Sequence, residues 1–416
     1  MAVTPTTLTE LTDLAKDFFT NVWANQTNPE TALKAQFASL ENANFTGKLW
    51  IFGIKSFIGG ASSNAGSNKT LPPADEGQYD QGQANVVRTY TRMALDGLAI
   101  EVTRRQQGSF RPALAETMSD RLQAHDLEVN RQMFCAGDGK LADVKTDSGT
   151  DQVLELDYSV TNGGAGARHV YVGDKVAFYS SDGSTLRNRR TVTAVDYDTD
   201  TITVDSDPVT TAGDFVTRST DDDDNKTAGE AAGLLQSVEA SSTFETIPIT
   251  SNWKSVVLGN SGTLRDISDS LVMQMIESIR SRSRQVPNLI VTTPGIVLKY
   301  SELFLPLRRL DGQDVQLKGG YKPIAAVIHA GGAIPVLGDI DCPGSRMFFL
   351  NTSAFRMADV VGTEWADMDG ATFDRVVDKD AIEGYIRKYW QLITIQRNAN
   401  GVIEDLNDVT SLNRHA

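Results

Sequence analysis

The stretch from Ser109 to Gly139 constrains the fold of this chain more than any other. Six side chains recur on one line at helical spacing: Leu114, Met118, Leu122, His125, Val129 and Met133. Pro112 suits the first helical turn, and Gly137 and Gly139 end the pattern. A helix over residues 112–136 would be about 37 Å long. Because it has a single narrow apolar seam, we expect a spine with a sheet laid across it.

Two strand-like stretches precede the spine, Phe45 to Ile58 and Gln83 to Met93. The segment between them begins rich in Gly, Ser and Asn and stiffens at Pro72 and Pro73. This order predicts a two-stranded ribbon with a long tip. An isolated ribbon is marginal in water, so we expect it to rest on another subunit, the alternative being a disordered surface loop.

Residues 7–24 predict an amphipathic helix near the amino terminus. Its apolar face includes Leu8, Phe18 and Trp23. Either the same chain or a neighbouring copy must bury this face, and the sequence leaves both open.

After the spine, Val153 to Arg218 is rich in Val, Thr, Ile and Tyr between tight turns, which predicts a small inserted β domain. Asp221 to Asp224 follows as an acidic linker without the spacing of a calcium loop. From Gly229 the chain alternates helices and strands, and its last strands are expected to pair along the spine.

The chain of 416 residues has a net charge of −15, and this charge is unevenly distributed. Residues 150–228 carry 15 Asp and Glu against 7 Lys and Arg, more than half of the total acidic excess. An acidic chain is not expected to read DNA sequence, although it can enclose nucleic acid without binding it tightly. No apolar run is long enough to span a bilayer, and no secretory pattern is visible.

The residue patterns of the common catalytic sites are missing from the sequence. The four histidines, His125, His169, His329 and His415, are far apart, and the two cysteines cannot form a zinc cluster alone. No phosphate-binding loop and no G-x-S-x-G elbow occurs. We therefore assign no catalytic residue, cofactor or metal, and expect a protein that is not an enzyme.

Three stretches together resemble one known family. They are MALDGLAIEVTRRQQGSFRPALAETMSDRLQAHDLEVNRQMFCAGDGKLADV, LRDISDSLVMQMIESIRSRSRQVPNLIVTTPGIVLKYSEL, and GGAIPVLGD with the alternating strands after it. Their content and order resemble the major capsid proteins of tailed bacteriophages, which have the Hong Kong-type fold. The resemblance covers roughly residues 45–150 and 229–410.

The resemblance implies an α+β fold with a fixed division of the chain. Residues 1–44 would be an N-terminal arm, and residues 45–93 an extended β-hairpin loop lying over an adjacent subunit. Residues 94–150 and 353–416 would form a peripheral domain around the spine helix, and residues 229–352 an axial domain. Residues 151–228 would be an inserted β-barrel or sandwich, whose role the resemblance does not fix.

The resemblance also implies a function and a set of partners. The subunits would form hexamers and pentamers of an icosahedral virion shell around double-stranded DNA, after synthesis in the cytoplasm of a bacterial host. A separate scaffolding protein and a portal are the expected partners, no membrane is involved, and the sequence leaves open whether a decoration protein binds. Candidate inter-subunit contacts are Leu8, Phe18, Trp23, Trp50, Phe57, Tyr79, Arg88 and Tyr90.

Three alternatives remain at this point. An encapsulin-like compartment would share the fold but hold a protein cargo. An extracellular β-rich binding module is suggested by residues 151–228 alone and would require a secretion signal. A hydrolase using scattered carboxylates would require a cleft that the sequence does not indicate.

Overall fold

The structure is a computed structural model. It describes residues 31–37, 49–60, 62, 64, 67, 69–70, 76–104, 113–146, 152–157, 166–220, 223–239, 243–250, 252–303, 325–329, 332–367, 370–377 and 379–409. The helix predicted over residues 7–24, with Leu8, Phe18 and Trp23, lies outside these residues.

Helices and strands are mixed in the described part of the chain, and the strands predominate. The helices are α1 (Ala32–Phe37), α2 (Gly97–Arg104), α3 (Ala113–Phe134), α4 (Asn225–Ala228), α5 (Leu234–Ser237), α6 (Asp269–Ser283) and α7 (Pro294–Leu303). The first nine strands are β1 (Leu49–Phe57), β2 (Gln78–Asn85), β3 (Val87–Asp96), β4 (Lys140–Thr146), β5 (Val153–Asp157), β6 (Lys175–Tyr179), β7 (Leu186–Asp196), β8 (Thr201–Val204) and β9 (Phe215–Arg218). The others are β10 (Val256–Leu258), β11 (Leu289–Thr292), β12 (Ala325–His329), β13 (Gly332–Gly338), β14 (Met347–Leu350), β15 (Phe355–Trp365), β16 (Asp374–Arg375), β17 (Ala381–Thr394) and β18 (Gly401–Ile403).

The long helix α3 is present where the sequence predicts it, but its apolar seam is buried only in its second half. His125, Val129 and Met133 are buried, whereas Leu122 is 40% exposed. The buried half packs on β3 and β17, together with Trp390 and Phe355. The predicted helix with a sheet across it is thus present, and the sheet covers the second half of the seam.

The central sheet lies across α3 and has the strand order β15-β17-β16, with β3 also paired to β17. Strand β3 runs antiparallel to β17, from Val87 opposite Trp390 to Asp96 opposite Ala381. Alternate residues such as Thr89 and Met93 face the helix and are buried. The indole Nε1 of Trp390 donates to Thr89 Oγ1 at 3.2 Å, which satisfies a buried donor.

Strands β1 and β2 form a separate antiparallel hairpin. The sequence predicted one strand from Gln83 to Met93 as the partner of the first, and the structure divides this stretch at Val86. Its first part belongs to β2 and its second part, β3, pairs with β17 in the central sheet. The extended loop predicted over residues 45–93 is therefore too long. Its last part is β3 of the central sheet, in which Thr89 and Met93 pack against the spine helix.

The inserted β domain is a closed barrel with the strand order β4-β5-β8-β7-β6-β9. Its core includes Val144, Leu156, Val176 and Val216. Strand β4 lies before the boundary expected at residue 151, and it closes the barrel by pairing with both β5 and β9. The barrel therefore begins earlier in the chain than the sequence suggested.

A six-stranded sheet has the order β10-β18-β14-β11-β13-β12, with α6 and α7 packed on it. The hydroxyl of Ser268 caps α6 by accepting from Leu271 N. Strand β18 lies inside this sheet, parallel to β10 and antiparallel to β14. The expectation that all the last strands pair along the spine is wrong for β18, whose three residues are buried between these partners.

Candidate inter-subunit surfaces

The hairpin has one side that packs on its own chain. Trp50 lies 4.9 Å from Phe52, ring centre to ring centre, and both pack against Ala84, Ala358 and Ile393. Trp50 was predicted to contact another subunit, and within one chain it is already half-buried. The hairpin is therefore supported by its own chain, whereas the sequence predicted that it would rest on another subunit.

The opposite side of the hairpin is exposed, with apolar side chains beside polar ones such as Lys55 and Gln81, and we call it the open side of the hairpin. It carries the side chains of Leu49, Ile51, Phe57, Ile58 and Tyr79. Lys55 lies over the Tyr79 ring, with its Nζ 5.7 Å from the ring centre. Phe57 and Tyr79, two of the predicted contact residues, are thus brought together on one accessible surface.

A second accessible surface is the face of the central sheet that points away from α3. It carries alternate side chains of β3 and β17, and we call it the Tyr–Arg face: Arg88, Tyr90, Arg92, Tyr385, Arg387 and Tyr389. Arg88 and Tyr90 were predicted as contacts, whereas the three β17 residues were not. The alternation of the last long strand was the signal that could have identified them.

The Tyr–Arg face is held together by ring and charge contacts. The hydroxyls of Tyr90 and Tyr389 are 3.2 Å apart, and Arg88 lies 5.9 Å from the Tyr389 ring centre. Partial burial and the Tyr389 hydroxyl raise the pKa of Tyr90 above its ordinary value. Arg92 pairs with Glu383, and Arg387 with Glu364. The side chains of this face therefore contact one another within a single chain.

A groove of about 1750 Å³ runs between β3, the exposed side of α3 and the barrel. One wall consists of the consecutive residues 83–92, and the opposite wall includes Asp120, Arg121 and Leu127 of the helix. Tyr171 and Arg218 of the barrel close one end. This groove was not predicted, because its walls come from segments that are far apart in the chain.

Buried charges line the groove where the spine meets the barrel. Arg131 Nη2 lies 2.6 Å from Glu128 Oε1 and 2.5 Å from Glu230 Oε1. Burial alone would raise the pKa of Glu128, but the charges of Arg131 and Arg218 lower it to about 2. Burial raises the pKa of Glu230 despite Arg131. This junction joins the helix, the last barrel strand and the chain after the barrel.

The chemical groups in the described residues favour structural roles. These residues contain no group of three His, Cys, Asp or Glu side chains that could hold a metal ion. Burial lowers the pKa of His125 to about 4, and its Nδ1 lies 3.0 Å from Thr91 Oγ1, so its ring is neutral near pH 7. Among the described helices, none is both long and apolar enough to cross a membrane.

The sequence matches no protein-family model and no curated protein. Solved structures are similar to it across nearly the whole chain. The capsid asymmetric unit of cyanophage A-1(L) matches with a TM-score of 0.58 and 14% identity, covering 96% of this chain and 99% of that one.

Two further structures are similar at lower scores. A structure from Mycobacterium phage Adephagia has a TM-score of 0.49 and 9% identity, covering 97% and 99% of the two chains. An encapsulin complex from Synechococcus elongatus has a TM-score of 0.48 and 8% identity, covering 98% of each. Only the cyanophage score is high enough to assign a fold. The chain therefore has the fold of a phage capsid protein.

Proposed function

We propose that this chain is a structural subunit, not an enzyme, of an icosahedral shell that encloses the double-stranded DNA of a tailed phage. The observation that carries the proposal is the match to the cyanophage capsid, which extends over nearly the full length of both chains. The accessible apolar side of the hairpin supports it, because exposed apolar patches on an ordered element mark interaction sites.

Hexamers and pentamers are part of the proposal because of the capsid fold, and contact between two different surfaces of the chain is compatible with such rings. The open side of the hairpin is unlike the Tyr–Arg face, so contact between them in two copies is head-to-tail. Head-to-tail contacts produce closed rings when the rotation between copies permits. We propose Phe57, Tyr79, Arg88 and Tyr90 as contacts in such rings.

The division into capsid domains is part of the proposal. Residues 1–44 form the arm, and the hairpin ends at Val86. The peripheral domain comprises β3, α3 and the central sheet, and the inserted barrel extends from Lys140 to residue 228. The axial domain comprises residues 229–352 with the addition of β18.

The proposed partners follow from the charge of the chain and from its proposed role. A net charge of −15 lets DNA be packed against the wall without tight binding. A separate scaffolding protein, a portal and a decoration protein complete the particle. DNA protected from nuclease inside purified shells distinguishes this role from that of a compartment with a protein cargo.

Two matched substitutions test the proposal. Ile51, on the open side of the hairpin, and Val153, at the start of barrel strand β5, are each 51% exposed. We expect Ile51→Glu to lower the assembled fraction at least about tenfold, because a buried unpaired carboxylate costs more than 1.4 kcal/mol. Val153→Glu should assemble as the wild type does.

Sedimentation of the purified variants, with the scaffolding protein present, measures the assembled fraction. Circular dichroism must show that both variants are folded. If folded Ile51→Glu assembles normally, the open side of the hairpin is not part of the interface between copies.

A further inference from the structure

The turn at residues 244–247 connects the hairpin to the body of the chain. The backbone N–H of Gln83 in β2 donates to the carbonyl oxygen of Glu245 at 2.8 Å. The backbone N–H of Thr394, at the end of β17, donates to Glu245 Oε1 at 3.1 Å. A single residue thus bonds both the hairpin and the central sheet.

The same turn carries the apolar contacts that seat the hairpin. Phe244, Ile247 and Trp253 form a small buried cluster with Ala232. Phe52 and Ile54 of strand β1 pack against this cluster. One further hydrogen bond joins Asn252 Nδ2 to the carbonyl oxygen of Ser56 at 2.8 Å. At this end, the position of the hairpin therefore depends on a few contacts to one turn.

The backbone of this turn is strained. Glu245 has a φ of 51° and Thr246 a φ of 68°, a left-handed conformation that is unfavourable for side chains other than Gly and especially for β-branched ones. Two hydrogen bonds between Phe244 and Ile247 close the turn, at 3.2 Å and 2.9 Å. The turn keeps this shape because its neighbours hold it, and it would relax if they separated.

The Glu245 carboxyl is poorly placed to carry a charge. Its Oε2 is buried and has no hydrogen-bond partner among the described residues. The charged group facing it is Arg397, whose Nε and Nη2 donate to the carbonyl oxygens of Ser237 and Gln236, each at 2.9 Å. Burial raises the pKa of Glu245 well above its ordinary value, despite Thr394 N–H and Arg397.

We propose that the turn at residues 244–247 is a latch that holds the hairpin against the body only while the Glu245 side chain is uncharged. An ionised carboxylate needs solvent at Oε2, and water reaches this atom only if the turn opens. Opening breaks the bonds to Gln83 and Thr394, relaxes the two strained residues and separates Phe52 and Ile54 from Phe244 and Ile247.

The direction of the pH effect follows from linkage. A carboxyl that ionises less readily in the closed state stabilises this state at low pH, and the stabilisation is lost as pH rises through the pKa of the closed state. The inference concerns one chain and does not depend on shell assembly. It is therefore tested on the full unassembled subunit.

Hydrogen exchange of the amides of Gln83 and Thr394 measures how far the turn at residues 244–247 opens. The rates are corrected for the effect of pH on intrinsic exchange. In the wild type, we expect protection to fall by up to about tenfold per pH unit between the pKa of the open turn, about 4.3, and the higher pKa of the closed turn. Glu245→Gln should stay protected over the same range, since its amide cannot ionise. The matched control Glu364→Gln changes an exposed carboxyl of the central sheet and should respond as the wild type does.

A second variant keeps the test independent of how well Glu245→Gln folds. Thr246→Gly removes the left-handed strain, so the loss of protection should move to higher pH. Equal protection of the wild type at all pH values would overturn the proposal. The same pH-dependent loss in folded Glu245→Gln, or no shift in Thr246→Gly, would also overturn it.

Discussion

At the scale of single residues, Arg131 is a buried cation, 2% exposed, that lies between Glu128 and Glu230. Arg131→Met fills similar space but leaves the buried Glu230 carboxyl without its cation and Glu128 with Arg218 alone. We expect a loss of about 3–5 kcal/mol in the free energy of unfolding, measured by urea denaturation.

The matched control for this change is Arg280→Met. Arg280 also pairs with a glutamate, Glu277 at 3.4 Å, but its side chain is 52% exposed. Exposed ion pairs contribute about 0–1 kcal/mol, so the control should unfold nearly as the wild type does. If Arg131→Met and Arg280→Met lose equal free energy of unfolding, the buried charges around Arg131 do not stabilise the fold more than an exposed ion pair does.

Asp339 is a second single residue, and it makes the free energy of unfolding depend on pH. Burial, together with the neighbouring Asp341, raises its pKa to about 7, although Leu33 N and Asn130 Nδ2 donate to it. Because the pKa is raised in the folded state, Asp339 stabilises the fold fully below about pH 4. This contribution to the free energy of unfolding is lost as pH rises through about 7.

Asp339→Asn should remove this contribution to the pH dependence. The free energy of unfolding of the wild type, relative to that of the variant, should fall between pH 4 and 7, by at most about 1.4 kcal/mol per pH unit. Urea denaturation at a series of pH values gives the difference. Parallel curves for the two proteins would show that Asp339 does not titrate in this range.

At the scale of elements, close backbone contacts fix where the spine ends. Gly233, which precedes α5, lies against the last turn of α3, and a Cβ there would be 2.4 Å from the carbonyl oxygen of Met133. Gly233→Ala should therefore lower the free energy of unfolding by about 1–3 kcal/mol in a urea titration.

Gly362 in β15 provides the control for this substitution, since no atom lies within 4 Å of a Cβ built there. Gly362→Ala should change stability by less than about 0.5 kcal/mol. If Gly233→Ala is as stable as this control, the contact between α5 and the spine is not tight.

The sequence predicts elements well where the signal is local. The spine, the β-rich insertion and the run from β11 to α7 all have periodicity or caps within one stretch of chain. Division of the strand at Val86 is not predictable in this way, because it depends on β17 pairing with residues about 300 positions earlier. Strand β18 was misplaced for the same reason, since its partner β10 is distant in sequence.

The candidate surfaces were predictable only in part. Phe57, Tyr79, Arg88 and Tyr90 belong to alternating strand patterns, and the structure exposes all four of them. Trp50 shares that pattern but faces the body, because the hairpin packs on its own chain. The pair of Glu128 and Arg131 has the i,i+3 spacing of a helix, whereas Arg131 and Glu230 are 99 positions apart and no sequence pattern predicts their contact.

At the scale of the whole molecule, the barrel is an insertion whose two ends meet. A Cβ on Gly139, just before β4, would lie 2.6 Å from the backbone of Asn225, which follows β9. Arg168 of the barrel donates to the carbonyl oxygens of Ile340 and Cys342, at 2.5 Å and 3.3 Å. The acidic barrel is thus fixed to the body rather than tethered by a loose linker.

Electron cryo-microscopy of the purified chain, alone and with its scaffolding protein, tests the central claim most directly. We expect closed shells of uniform diameter, in which Ile51 and Phe57 of each hairpin contact a neighbouring copy. Single subunits alone in both samples, even at high concentration, would contradict it.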